Sequence, residues 1–193
     1  MHRLAKLSED ERRRLIGEFL DTAFGGLSAN PELEAIRRSM TPELPDNPET
    51  EQVEAWVELA ELSQDPDFRA TVRRMADHHT ADCAAGGTTR LRRHFAAAIR
   101  DQVHPALLAD IDPTSPEADP IVAAVTAQSA HTFGRPDDID LRRRLLTRLE
   151  TANDPRREQY LQLLAVINGW SAPESLASAF DWFIHALRAR IPR

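Results

Sequence analysis

From Pro155 to Arg190 the apolar positions recur at helical spacing. Tyr160, Leu163, Leu164 and Ile167 fall at i, i+3, i+4 and i+7, and Leu161 and Val166 widen the arc. Beyond Gly169 a second stripe runs through Leu176, Phe180, Phe183 and Leu187, flanked by Ala179, Trp182 and Ala186. Arcs this wide mark helices covered on more than one side. The short break at Gly169 predicts a helical hairpin, and the rest of the chain is read as built around it.

The same spacing recurs upstream. Leu15, Phe19 and Ala23, with Ile16, Leu20 and Phe24, stripe a helix that opens on a capping box, Ser8 with Glu11, and stops at Gly25-Gly26. Its adjacent Arg12, Arg13 and Arg14 fan around the axis and read as solvated. Five pairs then repeat one punctuation mark: Asn30-Pro31, Asn47-Pro48, Asp65-Pro66, Ser115-Pro116 and Asp154-Pro155. Each sets a capping side chain before a proline that opens a helix without losing a hydrogen bond.

The predicted helices are 31–40, with Leu33, Ile36 and Arg37 on one face, then 48–63 and 66–83. The last of these ends at Gly86-Gly87. A helix capped by Thr88 or Thr89 follows to about Val103, then 116–133 closed by Gly134, and one from Asp137 or Asp138 to Thr151. Thr41 to Asn47, with Pro42 and Pro45, is a loop, and His104 to Pro113 is a packed loop. In 48–63, Val53, Trp56, Val57 and Ala60 face inward, and Glu51, Glu54, Glu58 and Glu61 face out. Alternating runs that would signal strands do not occur. The expected fold is all-α, a single domain over 1–193, an antiparallel bundle of about eight or nine helices.

Composition narrows the function classes. The net charge of −7 argues against a nucleic-acid surface covering the chain. Lys6 is the only lysine; the other basic residues are arginines. A single cysteine, Cys83, excludes an internal disulfide and fits a reducing cytosol. No apolar run approaches the length of a membrane span, and no signal peptide is visible, so the chain is expected to be cytoplasmic with no membrane partner.

Candidate chemistry is sparse. The metal-like cluster is Asp77, His78, His79, Asp82 and Cys83, with His94 beyond the Gly-Gly turn. His79 and Cys83 share a helix face. Since a structural site usually shows a second ligand pair, the expectation is no metal, a lone Cys83 thiol and no cofactor. Ser171 with Glu174 reads as a capping box rather than a nucleophile, and Asp137-Asp138 as a cap rather than an acid/base pair. Arg90, Arg92, Arg93 and Arg100 read as a solvated helix start. An enzyme is therefore the least supported class. The aromatic residues stand out: Trp56, Trp170, Trp182, Phe68 and Phe133 are the candidate ligand-binding residues, lining an apolar cavity between helices. In particular, Trp56 and Trp170 are expected to face one interior space.

Three stretches carry a resemblance: Leu7-Ser8-Glu9-Asp10-Glu11-Arg12; Gln52 to Leu62 with Asp65-Pro66-Asp67-Phe68-Arg69; and Leu163 to Trp170. Together they resemble the C-terminal helical region of actinobacterial MerR-type transcriptional regulators. In that family a winged helix-turn-helix and a dimerisation helix come first, and Met1 to Leu7 does not hold them. The resemblance implies an effector-binding domain for a small apolar or aromatic molecule. It also implies DNA contact only through a missing N-terminal domain, and leaves a homodimer open. The alternatives are a helical protein–protein interaction or dimerisation module without a ligand, and a metal-sensing domain.

Overall fold

A computed structural model describes residues 7–26, 31–84 and 89–192, the side chains of 82, 84 and 89–93 excepted. Nine α-helices lie among the described residues, with no strand: α1 Glu9–Phe24, α2 Pro31–Ser39, α3 Thr50–Gln64, α4 Pro66–Ala84, α5 Thr89–Leu108, α6 Asp119–Phe133, α7 Ile139–Ala152, α8 Pro155–Asn168 and α9 Ala177–Ala189. A 3-10 turn, Pro116–Ala118, precedes α6. The all-α expectation holds. Where one domain was expected, the chain gathers into two compact units. One comprises the described residues up to Thr80 together with Asp154–Glu174; the other comprises those of Ala81–Asn153 and Ser175–Arg193.

Each unit has its own core. In the first, α3 packs on α8 and on α1, and α1 packs on α2. At the centre Phe19 stacks on Phe68 at 5.8 Å between ring centroids, and Tyr160 tilts against both, at 5.6 and 5.8 Å. Trp56, Leu59, Leu164 and Ile167 complete this core. In the second, α5 packs on α6 and α9, and α7 on α9, around Phe95, Val122, Leu145, Trp182 and Phe183. The Trp182 indole donates to the Ile111 carbonyl at 2.8 Å, so its one polar atom is satisfied at the core's edge. Arg190 holds the neighbouring loop by donating to Asp119 at 2.7 Å and to the carbonyls of Pro113 and Ser115.

The two stripes fall in different units: α8 covers its stripe with α3, and α9 covers its own with α5 and α7. The stretch after Gly169 is not a tight turn. The helix begins only at Ala177, so Ser171 and Glu174 are not its capping box, and Ser175 Oγ instead accepts from the Ala177 amide.

Most helix ends follow the sequence signals. Ser8 and Glu11 form the predicted capping box. Asp65, Asp138 and Asp154 accept from the backbone amides of Phe68, Leu141 and Arg156. Gly134 and Gly169 close α6 and α8 with φ of +60° and +65°. Three expectations are corrected and three fall outside. Helix α3 opens after Glu49, not Asn47, because Gln52 Oε1 accepts from the Glu49 amide at 3.0 Å. Helix α5 runs through Pro105 to Leu108, and the expected loop starts later. The predicted helix from Pro116 divides into the 3-10 turn and α6, and Ser115 makes no side-chain cap. The Asn30, Gly86-Gly87 and Thr88 signals lie outside the described residues.

Candidate functional site

The aromatic candidates separate. Trp56 and Phe68 are buried in the first core, at 3% and 0% exposure. Trp182 and Phe133 belong to the second unit, where Phe133 meets Phe95 edge-on at 5.9 Å. Trp170, expected to face an interior space with Trp56, is 55% exposed, because it follows the C-cap Gly169 and points away from the buried face of α8. Of the five, Trp56 lines a cleft.

That cleft is an open groove of about 520 Å³ on the first unit. Helix α1 supplies Ile16, Gly17 and Leu20 as an apolar floor, continued by Trp56 of α3. Ile16 and Leu20 are one turn apart on the buried face of α1, and both are nearly inaccessible. Gly17 leaves open space where a side chain would stand. The loop Thr41 to Leu44 forms a wall, and it is clamped from α8. Asn168 Oδ1 accepts from the Glu43 amide at 2.7 Å, and the Tyr160 hydroxyl donates to the Met40 carbonyl at 2.7 Å. Gln52 adds a tie from α3, its Nε2 donating to the Ile167 carbonyl at 3.0 Å.

The rim is basic. Arg12 and Arg13 come from α1, Arg37 and Arg38 from α2, against Glu9 and Glu43. Arg13 pairs with Glu9. Arg37 bonds Asp21 at 2.7 Å and stands 3.9 Å from Glu34. Arg12 lies over the Trp56 ring at 5.8 Å and donates to the Leu7 carbonyl. The Arg38 side chain makes no hydrogen bond or ion pair among the described residues. Arginines on one rim of an acidic chain concentrate positive potential over a low-dielectric floor.

The sequence pattern puts Arg12 and Arg13 in a solvated fan and gives no site role to Arg38 or Asn168. The signal for Asn168 was its place at the last turn before Gly169, where a side-chain amide can reach a neighbouring backbone.

Of the metal-like residues, His79 and Cys83 stay together on one face of α4, and Glu32 of α2 joins His79. Asp77 is held by Arg73 at 3.1 Å. His78 is half-buried and His94 exposed. His79 is buried on α4 with Nε2 3.5 Å from Glu32 of α2, an acid the spacing argument did not include. Cys83 is half-buried and the Asp82 side chain lies outside the described residues, as do those of Arg90, Arg92 and Arg93. Among the described residues no helix is long and apolar enough to cross a membrane.

Comparison with protein-family models, with curated proteins and with solved structures finds no match to this chain.

Proposed function

We propose that this chain is a ligand-binding module and that the groove on the first unit is where it binds a small molecule with an apolar body. The observation that carries the reading is the joining of an apolar floor, Ile16, Gly17, Leu20 and Trp56, to a few polar groups in a cleft of about 520 Å³. That volume and that mixture are what small-ligand sites present. The wall is tied to α8 at both ends by Tyr160 and Asn168, so the cleft is preformed rather than assembled on binding. The three stretches that resemble MerR-type regulators, 7–12, 52–62 with 65–69, and 163–170, all fall in this unit. On that resemblance the module is the effector-sensing part of such a regulator.

Trp56 supplies the probe. With Trp170→Phe and Trp182→Phe in place, Trp56 is the sole tryptophan, and its emission is titrated with aliphatic and aromatic compounds, both neutral and acidic. A saturable change in emission is expected. It should be lost when Gly17→Leu fills the floor, a position where a Cβ would meet nothing within 4 Å, with far-UV circular dichroism checking that the variant folds. If no compound gives saturation, or if Gly17→Leu binds as well as its parent, the groove is not the site.

A further inference from the structure

We infer that Glu32, His79 and Cys83 form a zinc site that pins the first turn of α2 to α4. The inference is independent of the groove.

The donor geometry carries it. His79 and Cys83 are four residues apart on α4, so one turn of a continuous helix holds imidazole and thiol on the same face. Glu32 comes from the first turn of α2. One donor atom from each of the three lies within 4.8 Å of the other two. Nε2 of His79 stands 3.5 Å from the Glu32 carboxylate, which is long for a hydrogen bond. The distance suits the edge of a tetrahedron, roughly 3.4 Å, built on zinc–nitrogen and zinc–oxygen bonds of about 2.0–2.2 Å. A zinc–thiolate bond of about 2.3 Å sets its edges at roughly 3.6 Å, so a movement of about 1 Å at the half-buried Cys83 completes the set.

The chemistry selects the metal. Imidazole and thiolate donors exclude magnesium and calcium, which take oxygen ligands, and a mixed nitrogen, sulfur and carboxylate set suits zinc. One thiolate and one carboxylate balance the dication while the imidazole stays neutral, and the thiol proton leaves to solvent on binding. The His79 side chain is 9% exposed, so water competes little at that donor. Three protein donors leave a fourth tetrahedral position for water. Asp77 is taken by Arg73, and His78 is turned about 100° around the helix from His79. Helix α2 has nine residues, too few to stand by itself, and the metal anchors its start.

The test uses the full chain, reduced, stripped with a chelator and dialysed against zinc. Elemental analysis should find about one equivalent bound. Cobalt titrated in place of zinc should give the near-ultraviolet charge-transfer absorption of a cobalt–thiolate bond, and Cys83→Ser should abolish it. Glu32→Gln keeps the side chain's shape and should weaken zinc binding about tenfold or more, at least the loss that follows removal of an outer-shell partner. His78→Gln should leave affinity and absorption unchanged. Zinc should also raise the thermal midpoint of the parent but not of Cys83→Ser. Zinc that is not retained, or that Cys83→Ser retains equally, overturns the site. A cobalt–thiolate absorption with unchanged affinity in Glu32→Gln reduces it to a pair on one helix and overturns the link to α2. A loss in His78→Gln as large as in Glu32→Gln places the metal on other ligands and overturns the assignment.

Discussion

Phe68 is fully enclosed between Phe19 and Tyr160, with the Arg156 guanidinium 5.9 Å above its ring. Truncating it removes one corner of an aromatic triangle, and Phe68→Ala is expected to cost about 3–5 kcal/mol in urea unfolding. Trp170 is the opposite case. It is large and apolar but more than half exposed, so Trp170→Ala should stay within about 0.5 kcal/mol. A core-sized loss at Trp170 would mean that its ring is covered in solution. Arg156 also makes a test of pH. It bonds Asp154 at 2.7 Å and Asp65 at 3.2 Å. The Arg156 hydrogen bond holds the Asp154 carboxyl below the usual carboxylate range. A carboxyl whose pKa is lowered on folding adds stability above its unfolded value, about 3.9, and loses it as pH falls through the folded value. Asp154→Asn keeps a competent helix cap but removes the charge. Its urea midpoint should therefore lie below that of the parent at neutral pH, and the two should converge in acid. Curves that stay parallel to the acid limit would show that the Arg156 clamp does not contribute.

Among the elements, the helix ends are where sequence and structure agree best, because a cap is a local event. A side-chain oxygen beside an orphan amide, or a glycine in the left-handed region, is decided within about four residues. Gly169 makes the point testable. Its φ of +65° is strained for any residue with a Cβ, yet a Cβ there would meet nothing within 4 Å. Gly169→Ala should therefore cost about 1–2 kcal/mol through backbone strain alone, read as a shift in thermal midpoint. An unchanged midpoint would mean that α8 closes differently. Helix α5 shows where local reading fails. The helix was expected to end at about Val103, but it runs on with Pro105 in its last turn, where little of the hydrogen-bond ladder remains to be lost. Val103 and Ala106 on either side are 0% and 1% exposed, and packing them in the second core outweighs the proline's local preference.

At the scale of the whole molecule, periodicity says that a helix face is covered but not by what. The stripes of α8 and α9 were legible to the residue, yet their partners are elements far away in sequence: α3 for one, α5 and α7 for the other. The groove was illegible for the same reason. Its floor is read as core from the α1 pattern, but its rim joins Arg12 to Arg38 only once α1 packs on α2. Each unit holds roughly a hundred residues, near the commonest size of a domain with its own core. Core substitutions should then act locally. Phe183 is 0% exposed in the second core, as Phe68 is in the first. Hydrogen exchange read by mass spectrometry can compare Phe68→Ala with Phe183→Ala under native conditions. Phe68→Ala should speed exchange in α1, α3 and α8 and leave α6, α7 and α9 near their parent rates. Phe183→Ala should do the reverse. The reasoning is that exchange follows the free energy of the smallest opening that exposes an amide, and each opening is limited by the core that the amide's helix helps to enclose. If either substitution accelerates all six helices alike, the two cores unfold as one cooperative body.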